Sequence, residues 1–359
     1  MSRLATVATS IAAAGHDALL VTTPSNIRYL SGFAGSNGYV LVRADGTGVV
    51  VTDARYEERV ADELRDDAQL SVRIAPGAGR NVLAELVGSD TSLGVEADEM
   101  TWSAADQLGE ALDPQNVLVH PTTGVVESLR ERKDDEEIAA MRRAAAVADR
   151  AFSTVMEWLR PGQSERDIAW AFAGAVRSEG GEGIAYDTIV ASGPNASRPH
   201  HATGDRILQR GDLIIIDAGA MVDGYRSDMT RSFVLGQPTS RQRELLDAVL
   251  DAQAAGVAAV APGVATGDID AACRASLDSV GLEKWFTHGT GHGVGLDIHE
   301  APSVRAAATA TLAPGHVITV EPGVYLPGEG GVRWEDTVLV TGTGSETLTL
   351  TPKQPVIDL

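Results

Sequence analysis

The chain has 359 residues, of which 43% are hydrophobic and 22% are charged. This composition is that of a globular protein and excludes the disordered, collagen-like and disulfide-scaffold classes, while the length predicts two domains. Fifty acidic residues against 29 basic ones give a formal net charge of −21. Such a charge argues against a nucleic-acid partner, which would need a basic face.

Two further features bear on location. Cys273 is the single cysteine, so an internal disulfide is excluded and a reducing, cytoplasmic location is expected. No apolar run reaches the roughly 18 residues of a membrane span, so no membrane partner is expected. The mildly apolar run over residues 4–15 is interrupted by Thr6, Thr9 and Ser10, which favours an amphipathic first helix over a secretory signal.

Short apolar runs alternate with amphipathic ones over roughly the first 120 residues, and this alternation predicts an α/β domain. The predicted strands are residues 18–21, 39–42, 48–52 and 93–95, and the predicted helices are residues 56–64 and 103–112. The Pro-Thr-Thr-Gly sequence at residues 121–124 is typical of a connector. Acidic residues 134–137 favour the start of a long helix that ends near Leu159.

The rest of the chain contains an internal repeat. Residues 161–168 and 262–269 both have Pro-Gly followed by Asp-Ile, at a spacing of 101 residues (262 − 161). Segments 213–217 and 317–321 are both apolar runs that end in a carboxylate, at a spacing of 104 residues (321 − 217). This repeat predicts two related α/β halves that face each other across a site.

The carboxylates that end these two strands are Asp217 and Glu321. A buried, isolated charge is costly unless it is paired or binds a metal, although either residue alone could equally lie in solvent just past its strand. Asp228 follows Asp217 by 11 residues (228 − 217) across an Asp-Gly turn, and Glu335 follows Glu321 by 14 (335 − 321) across a segment rich in proline and glycine. Both spacings predict hairpins that bring each pair of carboxylates together.

A glycine-rich stretch at residues 287–295 contains His288 and His292, and its glycines would let the backbone pass close to a ligand. Four carboxylates with an imidazole are too oxygen-rich for a structural zinc site and suit a pair of divalent ions. No acidic residue follows at the distance that a dinucleotide-binding motif requires, so that motif is excluded. Further histidines are candidates for polar contacts, although a lone histidine is more often structural: His200, His201 and His299.

Four blocks of the C-terminal part resemble the motifs of the methionine-aminopeptidase-like, "pita-bread" metallopeptidases: DAGAMVDGYRSDMTR (217–231), HGTGHGVGL (288–296), EPGVY (321–325) and GVRWED (331–336). Within that group the chain is most similar to aminopeptidase P and prolidase, because NIRYLSGF (26–33) and TDARY (52–56) resemble their creatinase-type domain. The resemblance implies an α/β (α+β) fold. A creatinase-like N-terminal domain would span residues 1–124, and a pseudo-twofold pita-bread catalytic domain would span residues 125–359.

The same resemblance implies hydrolysis of the peptide bond before proline by a hydroxide held between two divalent ions. The metal ligands would be Asp217, Asp228, His292, Glu321 and Glu335. Of these, Asp228 and Glu335 would be shared by both ions, and Glu321 would also move the proton. Manganese is the expected metal, with cobalt or zinc as alternatives.

Further residues are assigned by the resemblance alone. His200, His288 and His299 would contact the substrate or the tetrahedral intermediate, and Arg333 would orient a bridging carboxylate. A homodimer is also expected. Trp334 departs from the family, which usually has a smaller aliphatic residue there.

The resemblance leaves the substrate open between Xaa-Pro aminopeptidase (aminopeptidase P) and Xaa-Pro dipeptidase (prolidase). Prolidases need a cation for the proline carboxylate, and some have an arginine four residues after the histidine that matches His299. Here that position is Ser303 and the nearest arginine is Arg305. This departure favours aminopeptidase P, with peptides that have proline in the second position as substrates.

Two other classes remain as alternatives. A non-catalytic binding module could keep the same fold, although the complete ligand set argues against it. The N-terminal domain of about 120 residues argues against a methionine aminopeptidase.

Overall fold

The computed structural model describes residues 2–76 and 79–357. The chain forms two compact units, Met1–Arg130 and Glu131–Leu359, and each combines helices with β-sheet. The predicted α/β (α+β) class is therefore confirmed, while the domain division after residue 124 stays a prediction. Within the described residues, no helix combines the length and the apolar character needed to cross a membrane.

The first unit is built on one mixed sheet. Its strands are β1 (Ala18–Val21), β2 (Tyr39–Arg43), β3 (Gly48–Thr52), β4 (Leu70–Ile74), β5 (Ser92–Glu96) and β6 (Leu118–Thr122). Its helices are α1 (Arg3–Ala13), α2 (Pro24–Ser31), α3 (Glu57–Glu63), α4 (Arg80–Val87), α5 (Trp102–Leu112) and α6 (Glu127–Arg130). The strand order is β4-β3-β2-β1-β5-β6, with β2 antiparallel to both of its neighbours.

The sequence predicts the central strands of this unit better than its periphery. Strands β1, β2, β3 and β5 match the four predicted strands, because their continuous aliphatic runs are buried in the sheet. The predicted connector over residues 121–124 is wrong in its first half: Pro121 and Thr122 end β6, where Val95 pairs with Pro121. β6 lies at the edge of the sheet, where a proline without an N–H is tolerated.

The second unit contains the long helices of the chain. They are α7 (Asp135–Trp158), α8 (Glu165–Ser178), α9 (Ser240–Ala259) and α10 (Thr266–Asp278). Helix α7 begins where the acidic segment predicts, because Asp134 accepts a hydrogen bond from the backbone N of Glu137 and the Glu137 side chain accepts one from Asp134 N. This reciprocal cap satisfies backbone N–H groups that the first turn leaves free.

The strands of the second unit fall into two main sheets, one three-stranded sheet and one two-stranded hairpin. They are β7 (Gly183–Ile184), β8 (Ile189–Ser192), β9 (Leu213–Asp217), β10 (Ala220–Val222), β11 (Tyr225–Arg226), β12 (Thr230–Leu235), β13 (Gly291–Gly293), β14 (Glu300–Val304), β15 (Val317–Val320), β16 (Gly323–Leu326), β17 (Gly330–Arg333), β18 (Asp336–Val340), β19 (Ser345–Thr347) and β20 (Val356–Ile357). One main sheet has the order β20-β12-β9-β8 and the other β14-β13-β15-β18-β19.

The internal repeat of the sequence appears as two equivalent halves. Strand β9 lies between β12 and β8, and β15 lies between β18 and β13, with antiparallel pairing in each case. Helices α7 and α8 cover the β9 side with a hydrophobic core that includes Phe152 and Phe172. Helices α9 and α10 cover the β15 side in the same way. The predicted pair of related halves is present.

Both predicted hairpins are also present. Strands β10 and β11 are joined by Asp223 and Gly224, which have φ values of 50° and 74°. Positive φ at both central residues is typical of the type I′ turn, which an Asp-Gly pair favours. Strands β16 and β17 pair from Gly323 with Arg333 to Leu326 with Gly330. Each hairpin therefore returns the chain to the end of the central strand that precedes it, which is β9 for the first hairpin and β15 for the second.

Gly224→Ala is expected to lower the free energy of unfolding by about 1–2 kcal/mol, because an L-residue pays this cost at positive φ. Gly342→Ala is the matched control, since a Cβ there meets nothing within 4 Å and the φ of Gly342 is not positive; its effect should stay within about 0.5 kcal/mol. Urea denaturation of the metal-free variants measures both values. Equal effects of the two substitutions would contradict the role of the turn.

Candidate active site and metal centre

The predicted ligands lie where inner strands of the two sheets begin or end. Asp217 ends β9, Glu321 follows β15, Glu335 precedes β18, and His292 lies in β13. Asp228 follows the β10–β11 hairpin just before β12. All five side chains line one cavity of about 490 Å³. The structure thus brings together residues that are up to 118 positions apart (335 − 217).

The ligand atoms of Asp228, His292 and Glu335 lie within 4.8 Å of one another. His292 Nε2 is 3.6 Å from Asp228 Oδ2 and 3.5 Å from Glu321 Oε1. These separations exceed a hydrogen bond and leave space between the donor atoms. A group of carboxylate and imidazole donors at this spacing can surround a divalent cation.

The tautomer of His292 fits this use. Its Nδ1 lies 2.9 Å from the carbonyl oxygen of Gly293, which can only accept, so Nδ1 must be protonated. Burial lowers the pKa of His292 to about 4, and the ring is therefore neutral at pH 7. Its Nε2 then presents a lone pair to the cavity, which is the form that binds a metal.

The carboxylates concentrate negative charge in a buried space. Asp228 and Glu335 are 4% and 2% exposed. Burial raises the pKa of Asp228, Glu321 and Glu335 well above the ordinary range, and the neighbouring carboxylates raise these pKa values further. Divalent cations would remove this cost by neutralising the charge in place, so the donor set fits the ions that the sequence predicts.

Arg333 compensates part of this charge. Its Nη2 donates to Asp217 Oδ2 at 2.6 Å, and its Nε lies 3.9 Å from Glu321 Oε2. Its Nε also donates to Thr230 Oγ1 at 3.0 Å, and that hydroxyl donates to Glu335 Oε2 at 2.7 Å. Arg333 therefore contacts one predicted ligand directly and orients a predicted bridging carboxylate through Thr230.

Tyr186 is a site residue that the sequence analysis missed. Its hydroxyl lies 2.5 Å from Asp217 Oδ1 and also contacts Asp228 Oδ1. Burial and these two carboxylates raise the pKa of the phenol, so it stays protonated. A phenol has one proton and can donate it to only one of the two carboxylates. A positive charge near the other carboxylate would offset the repulsion between that carboxylate and the phenol oxygen. No periodicity or turn marks Tyr186 in the sequence.

The predicted substrate-contacting histidines line the same cavity: His200, His288 and His299. His288 Nδ1 donates to the carbonyl of Gly289 at 2.8 Å, and its Nε2 is 2.9 Å from the Tyr325 hydroxyl. Burial lowers the pKa of His288 to about 4, so this ring is neutral. His299 packs edge-on against His292, with ring centroids 4.4 Å apart.

Two of the glycines of the 287–295 stretch, Gly289 and Gly291, line the cavity, as the sequence analysis expects. A Cβ on Gly291 would lie 2.0 Å from the carbonyl oxygen of Thr319, and one on Gly293 would lie 2.2 Å from that of Ala301. Gly291 and Gly293 therefore also allow β13 to pack tightly between its neighbouring strands. His292, between them, is held in the cavity as a consequence.

Two other side chains singled out from the sequence lie outside the cavity lining. Trp334 is fully buried among residues of α9 and the β15 sheet, and its Nε1 donates to the carbonyl of Leu246 at 3.1 Å. This large residue thus fills the core behind Glu335. His201 pairs with Glu165 at 2.8 Å, a contact that fits the structural interpretation of this residue in the sequence analysis.

Comparison with known proteins agrees with this geometry. Residues 139–342 match the model of metallopeptidase family M24, and residues 3–132 match the creatinase/prolidase N-terminal domain. An Xaa-Pro dipeptidase of Pyrococcus furiosus is 34% identical over 94% of both chains.

Solved structures resemble the whole chain. An Xaa-Pro dipeptidase from Bacillus anthracis has a TM-score of 0.93 at 34% identity, over 99% of this chain and 98% of that chain. An X-Pro aminopeptidase from Thermotoga maritima has a TM-score of 0.87 at 31% identity, over 96% of this chain and 98% of that chain. The resemblance drawn from the motifs is confirmed: this chain belongs to metallopeptidase family M24, and it is a hydrolase with a creatinase-type N-terminal domain and a pita-bread catalytic domain.

Proposed function

We propose that the protein is an Xaa-Pro dipeptidase, which is the alternative of the sequence analysis rather than its main expectation of aminopeptidase P. Relatives named as Xaa-Pro dipeptidases support this choice, although a similar structure is named an aminopeptidase. The observation that carries the proposal is that Arg305 lines the same cavity as the five predicted metal ligands, which we call the metal cavity.

Arg305 can supply the cation for the proline carboxylate that an arginine at position 303 would supply. Successive strand residues point to opposite faces, and around Val304, which is fully buried, both Ser303 and Arg305 are exposed. Residues 303 and 305 therefore share a face. Among the described residues, no side chain forms a hydrogen bond or ion pair with the Arg305 guanidinium, which leaves it available for a carboxylate. A dipeptide ending in proline presents such a carboxylate, and an arginine binds it through two parallel N–H groups.

The residues that would hold divalent ions are Asp217, Asp228, His292, Glu321 and Glu335, and Asp228 and Glu335 would be the ligands common to both ions. Bound divalent ions supply Lewis-acid activation of water and of the scissile carbonyl near neutral pH. Manganese suits the carboxylate-rich set, and cobalt or zinc remain alternatives. A cytoplasmic location and a homodimer also stay predictions.

The chain's own residues supply the remaining chemistry. Glu321, a carboxylate that lines the cavity, is suited to pass a proton to the leaving nitrogen. That nitrogen, like any amide nitrogen, is a poor leaving group unless it is protonated. Neutral His288 can donate or accept hydrogen bonds at the substrate without adding charge, and His200 and His299 line the same cavity.

A dependence on divalent metal is the first test. Adding Mn²⁺ to chelator-treated protein is expected to restore Xaa-Pro hydrolysis and to raise Tm, since saturation at about 100 times Kd stabilises by about 2.7 kcal/mol. Asp228→Asn should abolish both effects, because it removes a shared ligand. Asp223→Asn is the matched control on the same hairpin, at a side chain 61% exposed. Full activity and a normal Tm shift in Asp228→Asn would refute the two-ion site.

The specificity is tested with Xaa-Pro and Xaa-Pro-Yaa peptides. Arg305→Gln should raise KM for Xaa-Pro by roughly 10- to 100-fold, since a hydrogen bond to a charged group contributes about 1.5–3 kcal/mol. Its effect on tripeptides should be small. Arg243→Gln, an exposed arginine on α9, controls for the lost charge. If the unmodified enzyme cleaves longer peptides better than dipeptides, aminopeptidase P is the correct assignment.

A further inference from the structure

Glu165, the first residue of α8, is a buried carboxylate that does not line the metal cavity. Its side chain is 0% exposed. Among the described residues, its donors are the backbone N and Oγ of Ser192, Nδ2 of Asn195, Nε2 of His201 and the backbone N of Gly204, at 2.7–3.3 Å. A carboxylate with this many donors is held in one orientation.

These donors keep Glu165 ionised in spite of its burial. Burial alone would raise its pKa, but the hydrogen bonds from Asn195, His201 and Ser192 outweigh that effect and hold the pKa below its ordinary value. The charge therefore stays on the carboxylate and strengthens each of the hydrogen bonds that it accepts. Loss of the charge would weaken all of them together.

Every donor belongs to the segment that connects β8 to β9, and this segment carries His200. Ser192 is at its start, Gly204 is near its end, and His201 is adjacent to His200. The opposite side of the segment packs against the β16–β17 hairpin. There Arg333 Nη1 donates to the carbonyl of Pro199 at 3.3 Å, and a Cβ on Gly331 would lie 2.1 Å from the carbonyl of Ala196. The segment is thus held between Glu165 on one side and the hairpin on the other.

We propose that Glu165 is a positioning residue, which fixes the segment so that His200 faces the metal cavity. Glu165 does not touch the substrate and acts through the loop backbone and His201. The proposal rests on the proposed function only in that it takes Xaa-Pro hydrolysis as the reaction in which His200 contacts the substrate.

The second half of the domain has an equivalent arrangement, which supports this role. Asp270 of α10 is 1% exposed and accepts hydrogen bonds from the backbone N and Oγ1 of Thr290. It also pairs with Arg274 at 2.8 Å, and Arg274 Nη2 donates to the carbonyl of His288 at 2.7 Å. In each half, a buried carboxylate on the helix after the Pro-Gly motif holds a loop with an active-site histidine.

The first test removes the charge of the Glu165 side chain but keeps its shape. Glu165→Gln is expected to lower kcat/KM for an Xaa-Pro dipeptide by about 10- to 100-fold, the size of effect that a misplaced catalytic contact produces, with unchanged manganese content. Asp167→Asn is the matched control, because Asp167 caps the same helix by accepting from Ser164 N at 2.8 Å and, within the part of the chain that the structure describes, forms no hydrogen bond or ion pair with the loop. It should keep activity within about threefold. Activity of Glu165→Gln equal to that of the control would overturn the proposal.

A double-mutant cycle with His200→Ala separates positioning from general destabilisation. If Glu165 acts through His200, adding Glu165→Gln to His200→Ala should cost less than about threefold further. Multiplicative losses from the two substitutions would overturn the proposal. His201→Gln, which alters one donor and leaves the buried carboxylate in place, should show the same pattern with a smaller loss, and it provides the cycle if Glu165→Gln does not fold.

Hydrogen exchange makes the result independent of the substrate assignment. Glu165→Gln or His201→Gln should increase amide exchange in residues 193–204, and Asp167→Asn should not. Unchanged exchange in this segment would overturn the proposal. Failure of the unmodified enzyme to hydrolyse Xaa-Pro peptides would instead refute the proposed function, while the exchange measurement still decides the role of Glu165.

Discussion

The catalytic unit depends on an unfavourable interaction: carboxylates are forced together in a space that excludes most water. Asp228 and Glu335 are almost fully buried, and Arg333 is a cation in direct contact with Asp217 of the cluster. Burial makes such repulsion strong because little solvent screens it. A fold that assembles these groups must therefore balance them with bound cations, with protons or with both. This requirement connects the neutral His292, the protonated Tyr186 and the Thr230 hydroxyl into one arrangement around the charge.

The two halves make this assembly possible without long loops. Each half ends a central strand in a carboxylate and then returns through a hairpin to the same end of the sheet with a second one. The hydrophobic cores beneath β9 and β15 hold the strand ends rigidly, because their side chains are buried and closely packed. Close packing of β13 at Gly291 and Gly293 adds His292 at the same level. The repulsion is thus supported by the hydrophobic packing of two equivalent layers.

Features set by local sequence could be predicted, and those set by distant contacts could not. The Asp-Gly turn at residues 223–224 and the strands that end at Asp217 and Glu321 are local, so the hairpins and the clustering of carboxylates followed from spacing. Tyr186 contacts a carboxylate 42 positions away, and Glu165 receives hydrogen bonds from residues 27–39 positions away; neither has a local pattern. Edge elements such as β6 were missed for a related reason, since partial exposure removes the continuous apolar run that marks a central strand.

The placement of the site within the sheets separates hydrolysis from specificity. The proposed ligands lie on or beside inner strands, where pairing on both sides fixes the backbone, whereas Arg305 follows β14, which is the edge of its sheet. A change at an edge alters one face of the cavity and leaves the charged centre intact. This separation is consistent with the similarity of the whole chain both to a structure named a dipeptidase and to one named an aminopeptidase. On this view the buried carboxylates Glu165 and Asp270 belong with the geometry of the centre, because they bind the segments that carry His200 and His288 whatever group binds at the edge.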